Sequence, residues 1–304
     1  MIPLAHPALV RAPDDPAAYL HSESLLRRGN FSQGWPLFIR THTTLSWAPD
    51  FLPEWPGAHV DIRGKRILAI GEGGYGDNIY FLRWLDPLRR WGADVHYVCP
   101  PSLAPLARRQ GFRALENWMG NVDIKWHDYA YFTSLLSLPA KLGVTFSNYC
   151  WRGPYIRADH VSKPDRRIGI CWRAGETRSE TRHRSMSPVQ VLALVDSIGL
   201  SDYYPVNLTF EQTHSEMENP SLIDWNKTAC AVRSCDLIIS VDTGVAHLAG
   251  AMGRPTLAIL PPEPAWQYPD MNTHPFYPSM RMLRSRSKDL EDAVERACAY
   301  LESL

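Results

Sequence analysis

Asp242, Thr243, Gly244 and His247 stand where an apolar run, Leu237 to Val241, gives way to small and apolar residues from Val245 to Met252, with Gly253 behind them. That order predicts a buried strand ending on a carboxylate and a hydroxyl, followed by a helix with Gly253 as its stop. The first N–H groups of a helix have no intrahelical acceptor, and they lie at the positive end of its dipole. Such a junction is a natural seat for a phosphate. His247 falls one turn after Thr243 on the same face, where it is either a support of that cradle or a satisfied core histidine.

A second group of candidates is Arg173, Arg178, Arg182 and Arg184, four arginines in the loop after the apolar run Ile168 to Trp172. A guanidinium offers phosphate oxygens a planar, permanently charged fork, so this loop suits a diphosphate. A solvated surface loop has the same composition. The third candidate is the loop Gly71-Glu72-Gly73-Gly74-Tyr75-Gly76-Asp77, whose glycines at 71, 73 and 76 match the dinucleotide fingerprint. A dinucleotide fold also needs an acid at the end of its second strand. That end reads Tyr97-Val98-Cys99-Pro100-Pro101, with Asp94 at the start instead, which weighs against NAD. Asp77 then opens a helix as its cap or serves as a general base, and the residue types leave both open.

The elements that must hold these groups read as alternating strands and helices. Residues 16–45 carry Leu20, Leu25, Leu26, Phe31, Trp35, Leu37 and Phe38 around Gly29-Asn30, which predicts a helical hairpin whose aromatic residues pack on the first α/β domain or dock a partner. From Arg66 a β-α-β unit begins: strand Ile67–Ile70, the glycine loop, a helix from Asn78 to Trp91, and strand Val95–Val98. A second series runs through strand Ile168–Trp172, helix 188–198, strand Tyr204–Leu208, the 237–253 unit and strand Thr256–Leu260. Leu290, Val294, Ala297 and Leu301 predict a closing amphipathic helix. Short crossovers imply parallel sheets. The expected organisation is a hairpin and linker over 1–60, a first α/β domain over 61–160 and a second over 161–304, with strand ends facing a cleft.

Composition bounds the chemistry. Lys+Arg and Asp+Glu both number 32 in 304 residues, so no global basic field exists to hold nucleic acid or an anionic membrane. No apolar run approaches the ~18 residues of a membrane span, and the start lacks the pattern of a signal peptide, which together predict a cytoplasmic protein. The six cysteines show no Cys-x-x-Cys spacing and read as reduced packing residues. No clustered Asp-x-Asp is present to hold a metal-bound diphosphate, so no cofactor or metal is expected and positive charge must come from arginine and backbone.

The run Asp242-Thr243-Gly244-x-x-His247-Leu248-Ala249-Gly250-Ala251-x-Gly253-Arg254-Pro255, together with Gly76-Asp77, resembles the ADP-heptose:lipopolysaccharide heptosyltransferase family. The likeness is closer to its tetratricopeptide-linked relatives, through Leu25–Trp35, Leu135–Pro139, Arg184-Ser185 and Tyr277–Arg281. The resemblance implies a GT-B architecture of two Rossmann-like domains, inverting and metal-independent, with the acceptor in the first domain and a nucleotide-diphosphate sugar in the second. It implies Asp77 as the base beside an acceptor loop of Gly73, Gly74 and Gly76. Thr243 and Gly244 would hold the leaving diphosphate, Asp242 the sugar, and His247 the cradle, with Arg173, Arg182 and Arg184 adding charge. The acceptor would be a hydroxyl of a glycan, a lipid-linked sugar or a protein. Two departures stand out: Ser179 or Glu180 occupies the place of a family lysine, and Asn207-Leu208-Thr209 replaces a strand end that usually reads Ser-Leu-Gln. The missing lysine keeps open a non-catalytic nucleotide-sugar binder that docks a partner, and the altered strand end changes a nucleotide contact. An NAD-dependent enzyme and a nucleotide-sugar epimerase are the other readings.

Overall fold

The computed structural model describes residues 15–41, 49–116, 124–149, 153–159, 166–175, 184–271 and 274–304. They fall into two compact units, one before Gly153 and one from Gly153 to Leu304.

The first unit opens with helices α1 (Pro16–Arg27) and α2 (Phe31–Thr41). Asp15 caps α1 by accepting from the Ala18 N–H at 3.0 Å, and Pro16 takes the first helical position, where a missing N–H costs nothing. Gly34 lets the pair approach closely: a Cβ there would stand 2.7 Å from Leu26 Cδ2. Phe31, Trp35 and Phe38 are buried. Trp35 meets Phe81 edge-on and Phe31 stacks on Phe146. These aromatics therefore pack into the first unit, the first of the two readings, rather than presenting a docking face. Leu20, by contrast, is 63% exposed.

The first sheet and its helices run β1 (Arg66–Ile70), α3 (Tyr75–Phe81), α4 (Leu85–Arg90), β2 (Asp94–Cys99), α5 (Ala104–Arg109), β3 (Arg113–Glu116), β4 (Tyr131–Ser134), α6 (Leu138–Lys141) and α7 (Phe146–Tyr149). All pairings are parallel, in the order β3-β2-β1-β4. The single helix predicted from Asn78 to Trp91 is broken by a 3₁₀ turn at Leu82–Trp84. Pro87 explains the break, since it has no N–H to continue a ladder but is tolerated in the first turn of a new helix.

The second unit holds β5 (Arg167–Cys171), α8 (Pro188–Leu200), β6 (Tyr204–Asn207), α9 (Trp225–Arg233), β7 (Leu237–Val241), α10 (Gly244–Ala251), β8 (Thr256–Leu260), β9 (Met280–Arg284) and α11 (Glu291–Leu301). The sheet order is β6-β5-β7-β8-β9, again wholly parallel. β5, β7 and β8 are buried at every position, as parallel strands covered on both faces must be. α8 and α11 bury Val191, Leu194 and Ile198 with Leu290, Val294, Ala297 and Leu301 over Ile168, Ile170 and Ile239.

Each sheet reverses direction beside its first strand, between β1 and β4 in one unit and between β5 and β7 in the other. In open parallel sheets ligands bind outside the strand C-termini at such switch points. Both switch points carry sequence candidates: the Gly71–Asp77 loop comes after β1, and the Arg173 loop and Asp242-Thr243 come after β5 and β7. Cys99, Cys171, Cys230, Cys235 and Cys298 are free thiols, and Cys150 lies outside the described residues. Among the described residues no helix is long and apolar enough to cross a membrane.

Candidate functional site

At the second unit's switch point, β7 delivers Asp242, only 5% exposed, to the start of α10. Thr243 is the N-cap of α10 with extended φ −146° and ψ 171°, yet its side chain makes no capping bond. Its Oγ1 turns inward, 3.0 Å from Ser240 Oγ and 3.6 Å from Cys171 Sγ. The first N–H groups of α10 are thus left without a side-chain acceptor from their own cap. Gly244 is required by packing: a Cβ would stand 2.5 Å from the Trp225 ring, which opens α9. Gly250 has the same reason one face further on, with the Tyr277 ring 2.5 Å from its Cβ position.

Arg184 Nη1 meets Asp242 Oδ2 at 2.9 Å, so the candidate arginine and the candidate carboxylate form one pair. The loop bearing Arg184 is closed at its base, where Met186 N–H donates to Trp172 O at 2.9 Å and Ala174 N–H donates to Ser185 Oγ at 3.0 Å. Arg173 is half-buried at the opposite end of that loop. Arg178 and Arg182, with Ser179 and Glu180, lie outside the described residues. Thr209, in the unusual strand end, is consumed by structure: its Oγ1 accepts from Trp172 N–H at 3.0 Å and its N–H donates to Asn207 Oδ1 at 2.7 Å. His247 is 3% exposed, its ring 5.3 Å from that of Tyr268 and 5.9 Å from that of Tyr277. It supports the helix from inside an aromatic layer.

The first unit's switch point is built from the glycine loop. Gly71 donates its N–H to Val98 O at 2.8 Å, and a Cβ there would stand 2.2 Å from Asn78 Oδ1. Asn78 is buried and ties the loop together, donating to Glu72 O and Gly74 O at 2.9 Å each while accepting from Tyr97 Oη at 2.6 Å. Gly73 has φ 71° and leaves room for Asp77 Oδ2, which would lie 2.5 Å from a Cβ. Gly76 sits in the first turn of α3 beside Asp77. Asp77 Oδ2 accepts from Gly74 N–H at 2.8 Å, so the cap role is present, on a half-buried carboxylate in the first turn of α3. The space a side chain at 71 or 73 would fill is taken by Asn78 and Asp77 of this same loop, a local reason for the glycine spacing that involves no dinucleotide.

Two residues, one in each unit, were not candidates in the sequence. Glu72 is 6% exposed and its carboxylate accepts from Ser134 Oγ at the end of β4, across the switch point. Burial pushes its pKa up to about 7, with Glu54 adding to the rise while the Ser134 bond and Lys141 oppose it. Lys141 Nζ sits 2.6 Å from Glu54 Oε1 and donates to Thr133 Oγ1 at 3.2 Å. The other is Tyr268, fully buried after β8. Among the described residues no three His, Cys, Asp or Glu side chains gather as metal ligands would.

The arrangement at α10 is therefore a helix N-terminus without a side-chain cap, with buried Asp242 paired to the partly exposed Arg184 at a switch point. Residues 224–298, which contain α10 and Asp242 but not Arg184, match the model of glycosyltransferase family 9 (heptosyltransferase). That stretch is similar to heptosyltransferases. It resembles protein FlbA of Caulobacter vibrioides, 25% identical, with the match covering 90% of this chain and 53% of that protein. The chain thus spans about half the length of the curated relative it matches. Among solved structures, a glycosyl transferase family 9 protein from Veillonella parvula superposes with a TM-score of 0.58 at 14% identity, over 80% of this chain and 99% of the other. The E. coli heptosyltransferase WaaC with ADP gives 0.52 at 13%, over 78% and 99%. These likenesses carry the fold, which is α/β of the GT-B class with two parallel sheets.

Proposed function

We propose that this chain is a glycosyltransferase that moves a sugar from a nucleotide-diphosphate sugar to a hydroxyl of a glycan, a lipid-linked sugar or a protein, inverting the anomeric centre without a metal ion. The observation that carries the reading is the α10 N-terminus, whose cap residue makes no side-chain bond to its N–H groups, beside the Arg184–Asp242 pair. Leaving-group charge would develop on the diphosphate oxygens. Pre-oriented N–H donors, Thr243 and the loop arginines stabilise that charge without reorganising. In the other unit Asp77 takes the acceptor hydroxyl's proton as its oxygen attacks the anomeric carbon; the bond to the diphosphate breaks, and the diphosphate leaves with the electron pair.

A second reading, a nucleotide-sugar binder without turnover, is favoured by one observation: Asp77 already serves as a helix cap. It keeps the α10 seat and dispenses with the base. The hairpin of α1 and α2 would be the last unit of a tetratricopeptide-like array, and its exposed Leu20 side is the face open to a protein partner. A cytoplasmic location suits the free thiols.

Thermal stability with ADP-, UDP-, GDP-, CMP- and dTDP-sugars and with NAD tests the donor class, since a ligand that binds only the folded state raises the melting temperature. One nucleotide-sugar class should stabilise selectively, by about 2.7 kcal/mol at a hundred times its Kd. Stabilisation by NAD alone would overturn the proposal.

A further inference from the structure

A cavity of about 570 Å³ opens in the first unit between the chain leading into β1 and the end of α4. Residues 58–63 form one wall, and Arg90, Trp91 and Gly92 form the other. These segments enter β1 and β2 at their N-terminal ends, so the cavity lies at the opposite edge of the sheet from the Gly71–Asp77 loop. The two walls are fixed to each other. Gly64 N–H donates to Gly92 O at 2.9 Å, and Gly92, with φ 86°, leaves the space beside it to Arg63, whose Cγ would stand 3.2 Å from a Cβ. Trp91 is 38% exposed, with its ring 6.3 Å from that of fully buried Trp55.

The volume is that of a small-molecule site. What marks the lining is positive charge left over. Nearby acids are already matched, Asp94 to Arg66 at 2.9 Å and Asp86 to Arg89 at 3.7 Å. Among the described residues, Arg63 and Arg90 have no acidic partner at ion-pair distance, and both are exposed on the cavity wall. The negative end of α4 is closed off, since Leu88 O accepts from Ala93 N–H at 3.1 Å and Arg89 O accepts from Gly92 N–H at 2.9 Å. Two guanidiniums without a carboxylate suit a phosphate. Asp61 limits how much negative charge the cavity takes, because its carboxylate repels a second phosphate. Its Oδ1 accepts from Arg63 N–H at 3.0 Å, and a carboxylate has acceptor sites to spare for a hydroxyl. The His59 ring adds a group that gives or takes a hydrogen bond, and Trp91 adds a rigid apolar face.

We propose that this cavity binds a sugar monophosphate, with the phosphate on Arg63 and Arg90, a face of the ring against Trp91, and hydroxyls on Asp61 and His59. It draws on no residue of the α10 seat, so it stands whether or not the donor reading holds.

The test is calorimetric titration of the full chain with glucose, mannose and N-acetylglucosamine phosphorylated on the primary hydroxyl, with the same sugars unphosphorylated, and with inorganic phosphate. At least one phosphorylated sugar should bind about tenfold more tightly than its unphosphorylated form, the value of charge-assisted hydrogen bonds, and more tightly than inorganic phosphate. Arg63→Gln combined with Arg90→Gln should lose about that tenfold and melt with the wild type, because both side chains are exposed and unpaired. Trp91→Ala should weaken the phosphorylated sugar and leave inorganic phosphate unchanged. Binding of none of the phosphorylated sugars would overturn the proposal. Equal affinity for inorganic phosphate would do so too, since the cavity would then be a plain anion site. Unchanged affinity in the double arginine variant would place the phosphate elsewhere, and unchanged affinity in Trp91→Ala would remove the ring from this wall; either result contradicts the proposal.

Discussion

Asp77→Asn should abolish most turnover, by roughly 10²–10⁴-fold, the usual contribution of a general base, while leaving donor affinity within about twofold. Asparagine is chosen because its side-chain oxygen can still accept from Gly74 N–H, the 2.8 Å bond that caps α3. The variant thus removes basicity and keeps the cap. Steady-state transfer rates and equilibrium donor binding separate the two roles. Full activity in Asp77→Asn would leave the residue as a cap and favour the non-catalytic reading of the loop.

Glu72→Gln should stabilise the protein at pH 8 and do little at acid pH. The folded-state pKa of Glu72 is raised to about 7 from an ordinary 4.5, mainly by burial. The folded protein therefore binds this proton more tightly than the unfolded chain. Between pH 4.5 and 7 the native state holds more protons, so stability falls as pH rises; below that window both states are protonated, and above it both are ionised. A shift of this size corresponds to about 3 kcal/mol. Glutamine keeps a group for Ser134 to bond but carries no charge, and the buried Lys141 already has Glu54 at 2.6 Å. Urea midpoints at pH 5 and pH 8 should differ less in the variant than in the wild type, with the variant more stable at pH 8. A variant that is less stable at pH 8 would mean that ionised Glu72 is needed by Lys141.

What the sequence revealed and what it hid divide along physical lines. The β7–α10 junction was legible because its signals are local: an apolar run, Asp-Thr-Gly at the turn and small residues at helical spacing. The glycine loop was legible for the same reason, although its spacing alone left a dinucleotide open until the structure showed Asn78 and Asp77 filling the space beside Gly71 and Gly73. Pairings between distant segments left no trace. Glu72 meets Ser134 from 62 residues away, and Arg184 meets Asp242 from 58. Tyr268 sits in an irregular stretch with no periodicity to mark it. Short elements escaped too: β3, of four residues, and β9, an edge strand reading Met280-Arg281-Met282-Leu283-Arg284, lack the continuous apolar run that announced β7. The hairpin was visible, but which of its apolar residues face inward depended on Phe81 and Phe146 of later elements, and Leu20 stayed outside.

The proposed seat for a diphosphate at the head of α10 is best tested by calorimetric titration of the stabilising nucleotide-sugar and of its parent nucleoside into the wild type and Thr243→Val. The wild type should bind the nucleotide-sugar at least about tenfold more tightly than the nucleoside, as charge-assisted hydrogen bonds to phosphate require. Thr243→Val should keep most of that difference and bind the nucleoside unchanged, because the hydroxyl faces Ser240 and Cys171 and the backbone donors of α10 remain. If nucleoside and nucleotide-sugar bind the wild type equally, α10 does not hold a diphosphate.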